Sequence, residues 1–454
     1  MARVVIVSNR VPLPNERGAR AGGLAVGLSD ALKDGGLWFG WSGEISKTTH
    51  NPVRKVEAAG VTYATIDLCQ EDYDRFYVGY ANSTLWPLLH FRLGLIDFKR
   101  EDLEGYFSVN RTFAAALALE LQPDDVVWIH DYHLIPLGAE LRRLGVRNRL
   151  GFFLHIPFVP ASLFAALPQG ETLLRAFLAY DVVGLQTEEH RRDFLDAVKQ
   201  VLGIEPDADG QLVTASGISR AIANPIGIDA RGFAAMATKA ERSVETKRLL
   251  SSLVGRDLVI GVDRLDYSKG LPNRFTAFGK LLQNYPEHRQ KVSYLQVAAR
   301  SREDVSEYQA LRRELDRKAG NINGRFAEFD WVPLRYMTRP VNRNLLAGFY
   351  RAARVGLVTP LRDGMNLVAK EFIAAQDHND PGVLILSRFA GAAEDLAEAL
   401  IVNPYDPDEI TEAMHQALIM PQTERQDRMA HLRARVFTST AEAYCRNFLA
   451  ALAA

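Results

Sequence analysis

Several short stretches of this chain place cations and carboxylates at spacings suited to small anions. Arg264 is followed five residues later by Lys269-Gly270, and both come after an apolar run at 258–262. Arg300-Ser301-Arg302 follows the run 292–297, and Arg362-Asp363-Gly364-Met365-Asn366 follows 354–358. Near the start, Ser8-Asn9-Arg10 closes the run 4–7, and Gly22-Gly23 opens a helical pattern. Guanidinium and ammonium groups drawn from four such ends bind phosphates through charge-assisted hydrogen bonds. Glycine-lined backbone at a helix start adds N–H donors for a diphosphate. The glycines of Gly22-Gly23-Leu24-Ala25-Val26-Gly27 do not follow G-x-G-x-x-G, and no G-x-x-x-x-G-K-[ST] occurs, so dehydrogenase and P-loop readings lose their main support. His130-Asp131-Tyr132-His133 and His155 include metal-ligand types, but a strand end turns His130 and Asp131 to opposite faces, so the reading carries no metal and no cofactor. No G-x-S-x-G elbow supports a nucleophilic serine. The aromatic group Trp38, Phe39, Trp41, Tyr77 and Trp86 reads first as core, while the polar tips of Tyr77 and Trp86 suit the wall of a sugar-phosphate pocket.

These groups need elements that bring them to one edge. Short β-branched runs at 4–7, 61–68, 126–130, 150–155, 181–185, 258–262, 292–297, 354–358, 383–386 and 399–402 alternate with helical patterns at 24–32, 107–121, 187–202, 304–319 and 344–353. Continuous apolar runs, rather than strict alternation, predict strands covered on both faces, as in a parallel sheet. Strand–helix alternation over this length predicts doubly wound α/β layers. In such sheets ligands bind beyond the carboxyl ends of the strands, where all the cations above fall. The expected fold is α/β with two Rossmann-like lobes and an active site in the cleft between them. Residues 1–235 are expected to form an N-terminal lobe and 236–435 a C-terminal lobe. A C-terminal helix at 436–454 is expected to cross back to the first lobe.

Length and charge bound the reading further. The 454 residues fit two or three domains. With 54 Lys+Arg against 55 Asp+Glu, the net charge of −1 argues against a nucleic-acid coat or a polybasic membrane anchor. Two cysteines, Cys69 and Cys445, exclude a disulfide scaffold and a multi-thiolate zinc site. The segment 150–170 lacks Lys, Arg, Asp and Glu, but Pro157, Pro160 and Pro168 interrupt any membrane helix there. A cytoplasmic protein is expected.

Over nearly its whole length the sequence resembles the trehalose-6-phosphate synthases, retaining glycosyltransferases of the two-lobed GT-B type. The resemblance rests on Val5-Ile6-Val7-Ser8-Asn9-Arg10, Gly22-Gly23-Leu24, the stretch 37–43 (LWFGWSG), Trp128-Ile129-His130-Asp131-Tyr132-His133, and the stretch 151–158 (GFFLHIPF). It extends to 263–270 (DRLDYSKG) and 359–371 (TPLRDGMNLVAKE). It implies UDP-glucose as donor and glucose 6-phosphate as acceptor. Arg264, Lys269 and the backbone at Gly22 and Gly23 would then meet the donor diphosphate. Leu367, Val368, Ala369, Lys370 and Glu371 resemble a donor strip, with Glu371 facing the ribose hydroxyls. Asp363, Gly364, Met365 and Asn366 would hold the transferred glucose, which His155 would also face. Arg10, Tyr77, Trp86 and Arg302 resemble the acceptor-phosphate pocket, and Asp131 the group binding acceptor hydroxyls. Val341 stands near the nucleobase where some relatives have a bulkier aromatic, so base contact there would run through the backbone. The implied catalytic set is Arg264, Lys269, His155 and Asp131, with no metal. The expected partners are the two substrates and a homo-oligomer, with neither nucleic acid nor membrane. A sister transferase with another nucleotide-sugar or phosphorylated acceptor, or a non-catalytic sugar-phosphate sensor, are the rival readings.

Overall fold

The computed structural model describes residues 2–14, 27–28, 30–48, 52–214, 217–301 and 305–454. Gly22, Gly23 and Arg302 therefore lie outside the described residues, as do residues 24–26 and 29 of the helix expected at 24–32; its end is a short turn, Asp30–Leu32. Contacts divide the chain into two compact units, Met1–Ile226 with Ala441–Ala454, and Gly227–Thr440.

In the first unit the described strands are β1 (Val4–Arg10), β2 (Gly36–Ser46), β3 (Arg54–Ala58), β4 (Val61–Cys69), β5 (Val126–His130), β6 (Arg149–Phe153), β7 (Val182–Leu185), β8 (Gln211–Thr214) and β9 (Gly217–Ala223). They form one sheet in the order β3-β4-β2-β1-β5-β6-β7-β9-β8. Only the edge pairs β3–β4 and β8–β9 are antiparallel. In the second unit β10 (Asp257–Arg264), β11 (Val292–Ala299), β12 (Leu334–Met337), β13 (Val355–Val358), β14 (Val383–Ser387) and β15 (Leu400–Val402) make a wholly parallel sheet in the order β12-β11-β10-β13-β14-β15. Both are doubly wound Rossmann-like sheets. The strand order reverses at β1/β5 in one and at β10/β13 in the other, and these switch points open the crevices where such sheets take ligands.

The apolar runs form strands because helices cover both faces. Val355–Val358 and Val383–Ser387 are buried along their whole length, and a strand with no solvent face needs no polar alternation. Gly36–Ser46 was not among the expected strands: its glycines dilute the β-branched signal, yet Leu37, Trp38, Phe39 and Trp41 are buried. The edge strands β3 and β8, their neighbour β9 and the short β12 were missed for a related reason, since they are polar or brief. The segment 150–170 is β6 followed by a loop and short helical turns. Among the described residues no helix is long and apolar enough to cross a membrane. Both cysteines are buried and unbridged.

The C-terminal region is two helices, Gln422–Thr438 and Ala441–Ala453, broken at Ser439-Thr440. The last one belongs to the first unit, where the Phe448 ring stacks on Trp128 at 4.5 Å and meets Phe153 edge-on at 5.8 Å. Gly151 makes room for it, because a Cβ there would sit 2.6 Å from the Phe448 ring. Asn224 Nδ2 donates to the Tyr444 carbonyl at 3.1 Å, closing the same seam. Phe448→Ala is expected to cost about 3–5 kcal/mol through lost burial and the cavity left behind, read as a lowered urea midpoint of the first unit followed by Trp128 fluorescence.

Candidate active site

In the second unit the switch point is built around two loops. The first runs from Arg264, at the end of β10, to Gly270; the second runs from Thr359, after β13, to Asn366. The Leu361 N–H donates to the Ser268 carbonyl at 2.7 Å, stitching the loops together. Gly270 adopts φ +68°, and a Cβ there would run into the Thr359 carbonyl oxygen, so only glycine suits this close, left-handed turn. Asp266 is buried and orders the first loop: it accepts from the Ser268 N–H at 2.9 Å and from the Tyr308 hydroxyl at 3.0 Å. Between the loops, Lys269 Nζ meets Asp363 Oδ2 at 2.5 Å with both side chains largely buried. An ammonium has three donors, so this pair fixes the lysine and leaves capacity for an anion. Asn366 Nδ2 donates to the same carboxylate oxygen at 3.0 Å.

Asn366 also caps the helix Leu367–Ala375, accepting from the Ala369 N–H at 3.3 Å. The N–H groups of Leu367 and Val368 have no carbonyl within the helix to bond, and with the helix dipole they favour negative charge at this terminus. Lys370 lies on the buried side of this helix, 1% exposed and 4.0 Å from Asp395. Burial pushes its pKa down to about 8, with Asp395 pulling the other way. Glu371 accepts from Arg343 at 3.0–3.1 Å, and the Arg343 guanidinium also lies 4.9 Å over the Phe233 ring. Burial pushes the Glu371 carboxyl up, and Arg343 offsets part of that. Arg264 is exposed at the strand end, and Val341 is half-buried ahead of the helix Arg343–Ala352.

Beneath the loops sits a residue not singled out from sequence. Arg274, fully buried on the helix Leu271–Asn284, pairs with Asp263 of β10 and donates to Thr359 Oγ1 at 2.9 Å and to the Lys269 carbonyl at 3.0 Å. It also reaches Gln296 of β11 at 3.4 Å. Burial pushes the Asp263 carboxyl up and the Arg274 charge pulls it back. A cation set among Leu271, Phe275 and Phe278 on an apolar helix face is the signal that was legible and overlooked.

In the first unit, Arg10 ends β1 just past a shift in register between Ser8 and Arg10. The Trp38 indole N–H donates to Ser8 Oγ, which donates to the Arg10 carbonyl, each at 2.8 Å. The guanidinium lies over Gly43, where a Cβ would fall 2.7 Å from Nε. Asp131 follows β5 at φ 76°, ψ 164°, a conformation that costs a non-glycine residue about 1–3 kcal/mol and concentrates at functional sites. It is held there because its N–H donates to the Phe153 carbonyl at 2.8 Å, while Oδ1 accepts from the His155 N–H at 3.2 Å. Next to it runs a chain of rings: Tyr73 on Tyr77 at 5.3 Å, Tyr77 on His133 at 5.7 Å, His133 on Tyr132 at 3.9 Å and Tyr132 against Trp86 at 5.6 Å. Tyr77 belongs to a wide helical turn, Tyr73–Leu85, and is half-buried, whereas Trp86 is buried behind it. The structure thus brings Tyr77, Trp86 and Asp131 into one wall, and His133 and Tyr132 are members that sequence reasoning left out.

The His130 ring at the end of β5 and the His155 ring just beyond β6 meet at 3.0 Å between Nδ1 and Nε2, as the parallel pairing of His130 with Phe153 allows. The Ile226 N–H donates to Gln186 Oε1 at 3.0 Å, which turns Gln186 Nε2 toward His155 Nδ1 at 3.4 Å. His155 Nδ1 is then the acceptor and Nε2 carries the proton donated to His130. Burial holds both rings neutral, His155 pushed down to about 3 and His130 well below its usual range.

Two doubly wound units, one with cations and a helix terminus at its switch point, suit a phosphorylated ligand. The sequence matches the profile of glycosyltransferase family 20 across residues 2–454, and the chain belongs to that family. It is 48% identical over 454 residues to a trehalose-6-phosphate synthase of Sinorhizobium fredii, covering 99% of this chain and 98% of that protein. A crystal structure of an α,α-trehalose-phosphate synthase (UDP-forming) from Burkholderia xenovorans in complex with glucose-6-phosphate superposes with a TM-score of 0.96 at 46% identity, covering 99% of this chain and all of that one. An E. coli structure bound with UDP-2-fluoro glucose superposes with a TM-score of 0.94 at 44% identity, covering 99% of each chain.

Two outcomes are expected from this geometry. Arg274→Met leaves Asp263 buried without its partner and is expected to destabilise the second unit by about 3–5 kcal/mol, while the double variant Asp263→Leu/Arg274→Met recovers part of that loss in urea melts. For His155, the unfolded ring protonates near 6.5 and the folded one only near 3. Its contribution is complete above pH 6.5 and is lost as pH falls, by about 1.4 kcal/mol per pH unit for one group. Urea midpoints between pH 7 and pH 4 are expected to fall more steeply for the wild type than for His155→Asn.

Proposed function

We propose that this chain moves glucose from UDP-glucose to glucose 6-phosphate with retention, yielding α,α-trehalose 6-phosphate and UDP. The observation that carries the reading is the second unit's switch point: Lys269 is held against Asp363 beside the exposed Arg264 and the N-terminus of Leu367–Ala375. The end-to-end likeness to synthases with the acceptor or a donor analogue bound supports it.

In this reading Arg264 and Lys269 bind the donor diphosphate with the backbone at Gly22 and Gly23. Breaking the bond from glucose C1 to the phosphate oxygen puts negative charge on departing UDP, and the two cations stabilise that charge as it develops. The strip from Leu367 to Glu371 lies along the nucleoside, with Glu371, already oriented by Arg343, toward the ribose and Val341 near the base. Asp363 and the backbone at Gly364, Met365 and Asn366 hold the glucose, and His155 faces it. Arg10, Tyr77, Trp86 and Arg302 take the acceptor phosphate, and Asp131 its hydroxyls. The acceptor oxygen attacks C1 on the face UDP leaves, and a phosphate oxygen of the donor takes its proton. No metal is needed for leaving-group stabilisation. A cytoplasmic, homo-oligomeric protein completes the proposal.

Incubation with UDP-glucose and a panel of phosphorylated acceptors, followed by NMR of the product, tests the reading. An α,α-1,1 linkage formed with glucose 6-phosphate is expected, and its absence would overturn it. Arg264→Ala and Lys269→Ala are each expected to lower kcat about 10²–10³-fold, by analogy with loss of an oxyanion donor, with melting unchanged. Near-normal UDP release from both variants would sink their assignment.

A further inference from the structure

We propose that Glu287, His288 and His415 form a binding site for one divalent transition-metal ion of the zinc class, separate from the glycosyl-transfer site. His288 ends the short turn Pro286–His288 that leads into the amino end of β11, and His415 lies on the helix Pro407–Ile419. The two imidazoles meet with His288 Nε2 and His415 Nδ1 2.9 Å apart. A Glu287 carboxylate oxygen completes a set of three ligand atoms that lie within 4.8 Å of one another, the one such group among the described residues.

Two imidazoles and one carboxylate form a ligand set that zinc takes with a fourth position left for water. Imidazole nitrogen selects the zinc–copper–nickel group over magnesium or calcium, which prefer oxygen. Metal–nitrogen bonds of about 2.0–2.1 Å at a tetrahedral angle need nitrogens about 3.3 Å apart, so the rings must open by only a few tenths of an ångström. The proton shared by the two rings need not leave: a tautomer shift carries it to the far nitrogen of its own ring, and both facing nitrogens then present lone pairs.

The surroundings already orient the ligands. The Tyr285 ring stacks on His415 at 3.9 Å with the planes 9° apart, and the Tyr285 hydroxyl donates to Glu412 at 2.6 Å. The His288 N–H donates to the Tyr285 carbonyl at 3.0 Å. Groups that hold a ligand ring in place change metal affinity about 10–100-fold in known sites. His288 is buried, His415 half-buried and Glu287 exposed, which leaves an entry path from solvent.

The site lies at the amino ends of the strands of its sheet, whereas Arg264 and Lys269 lie at their carboxyl ends. An ion here ties the end of the helix Leu271–Asn284 to Pro407–Ile419 and acts on stability, not on glucosyl transfer. Arg274 stands on that same helix.

Tag-free, chelator-treated protein titrated with zinc by calorimetry, and with cobalt by visible absorption, tests this. One ion per chain is expected, with a raised melting temperature and unchanged turnover. His415→Ala and Glu287→Gln, both at accessible positions, are expected to weaken binding at least about tenfold while melting as the wild type does without metal; His288→Gln adds the buried ligand. No uptake at stoichiometric concentration would overturn the proposal, as would wild-type affinity in His415→Ala and Glu287→Gln.

Discussion

A guanidinium sealed from water holds the switch point of the second unit together. Arg274 ties Asp263 of β10, Gln296 of β11, Thr359 at the end of β13 and the Lys269 carbonyl into one buried cluster. A buried charge is costly unless every partner is in place. The two loops at the switch point are therefore held to one arrangement, and the Lys269–Asp363 pair takes its position from that arrangement. Whether such a pair gains net stability over an apolar core matters less here than its geometry: five donors in a planar fork set several backbone and side-chain acceptors at once.

The two units repeat one device. Each places a non-glycine residue with positive φ beyond the strand that opens its switch point: Asp131 after β5 at φ 76°, ψ 164°, and Asn366 after β13 at φ 81°, ψ 86°, the latter in the left-handed region that asparagine tolerates. Each is held from several sides, Asp131 by Phe153 and His155, and Asn366 by Asp363 and the helix it caps.

Much of the site was legible because its chemistry comes in contiguous runs at strand ends. Arg264, Lys269 and Asp363 through Asn366 were picked out as candidates this way, and they share one switch point since a parallel sheet brings the carboxyl ends of its strands to one edge whatever fills the rest of the chain. Residues acting through a neighbour were not: Arg274, Arg343 and Gln186 lie inside helices or loops whose patterns report packing. Strands β2 and β12 were missed because glycine content and brevity hide them, although their neighbours in the sheet make them strands.

Period, apolar runs and motif chemistry by themselves determined the two doubly wound units and the cations gathered at their strand ends, because these follow from local spacing and from the rule that buried strands are apolar on both faces. Only the tertiary structure decided how His130 and His155 share a proton, how Lys370 is buried against Asp395, and where the last helix breaks from the one before it, at Ser439-Thr440. Each of these depends on which distant residues come to lie side by side, and no local pattern encodes that.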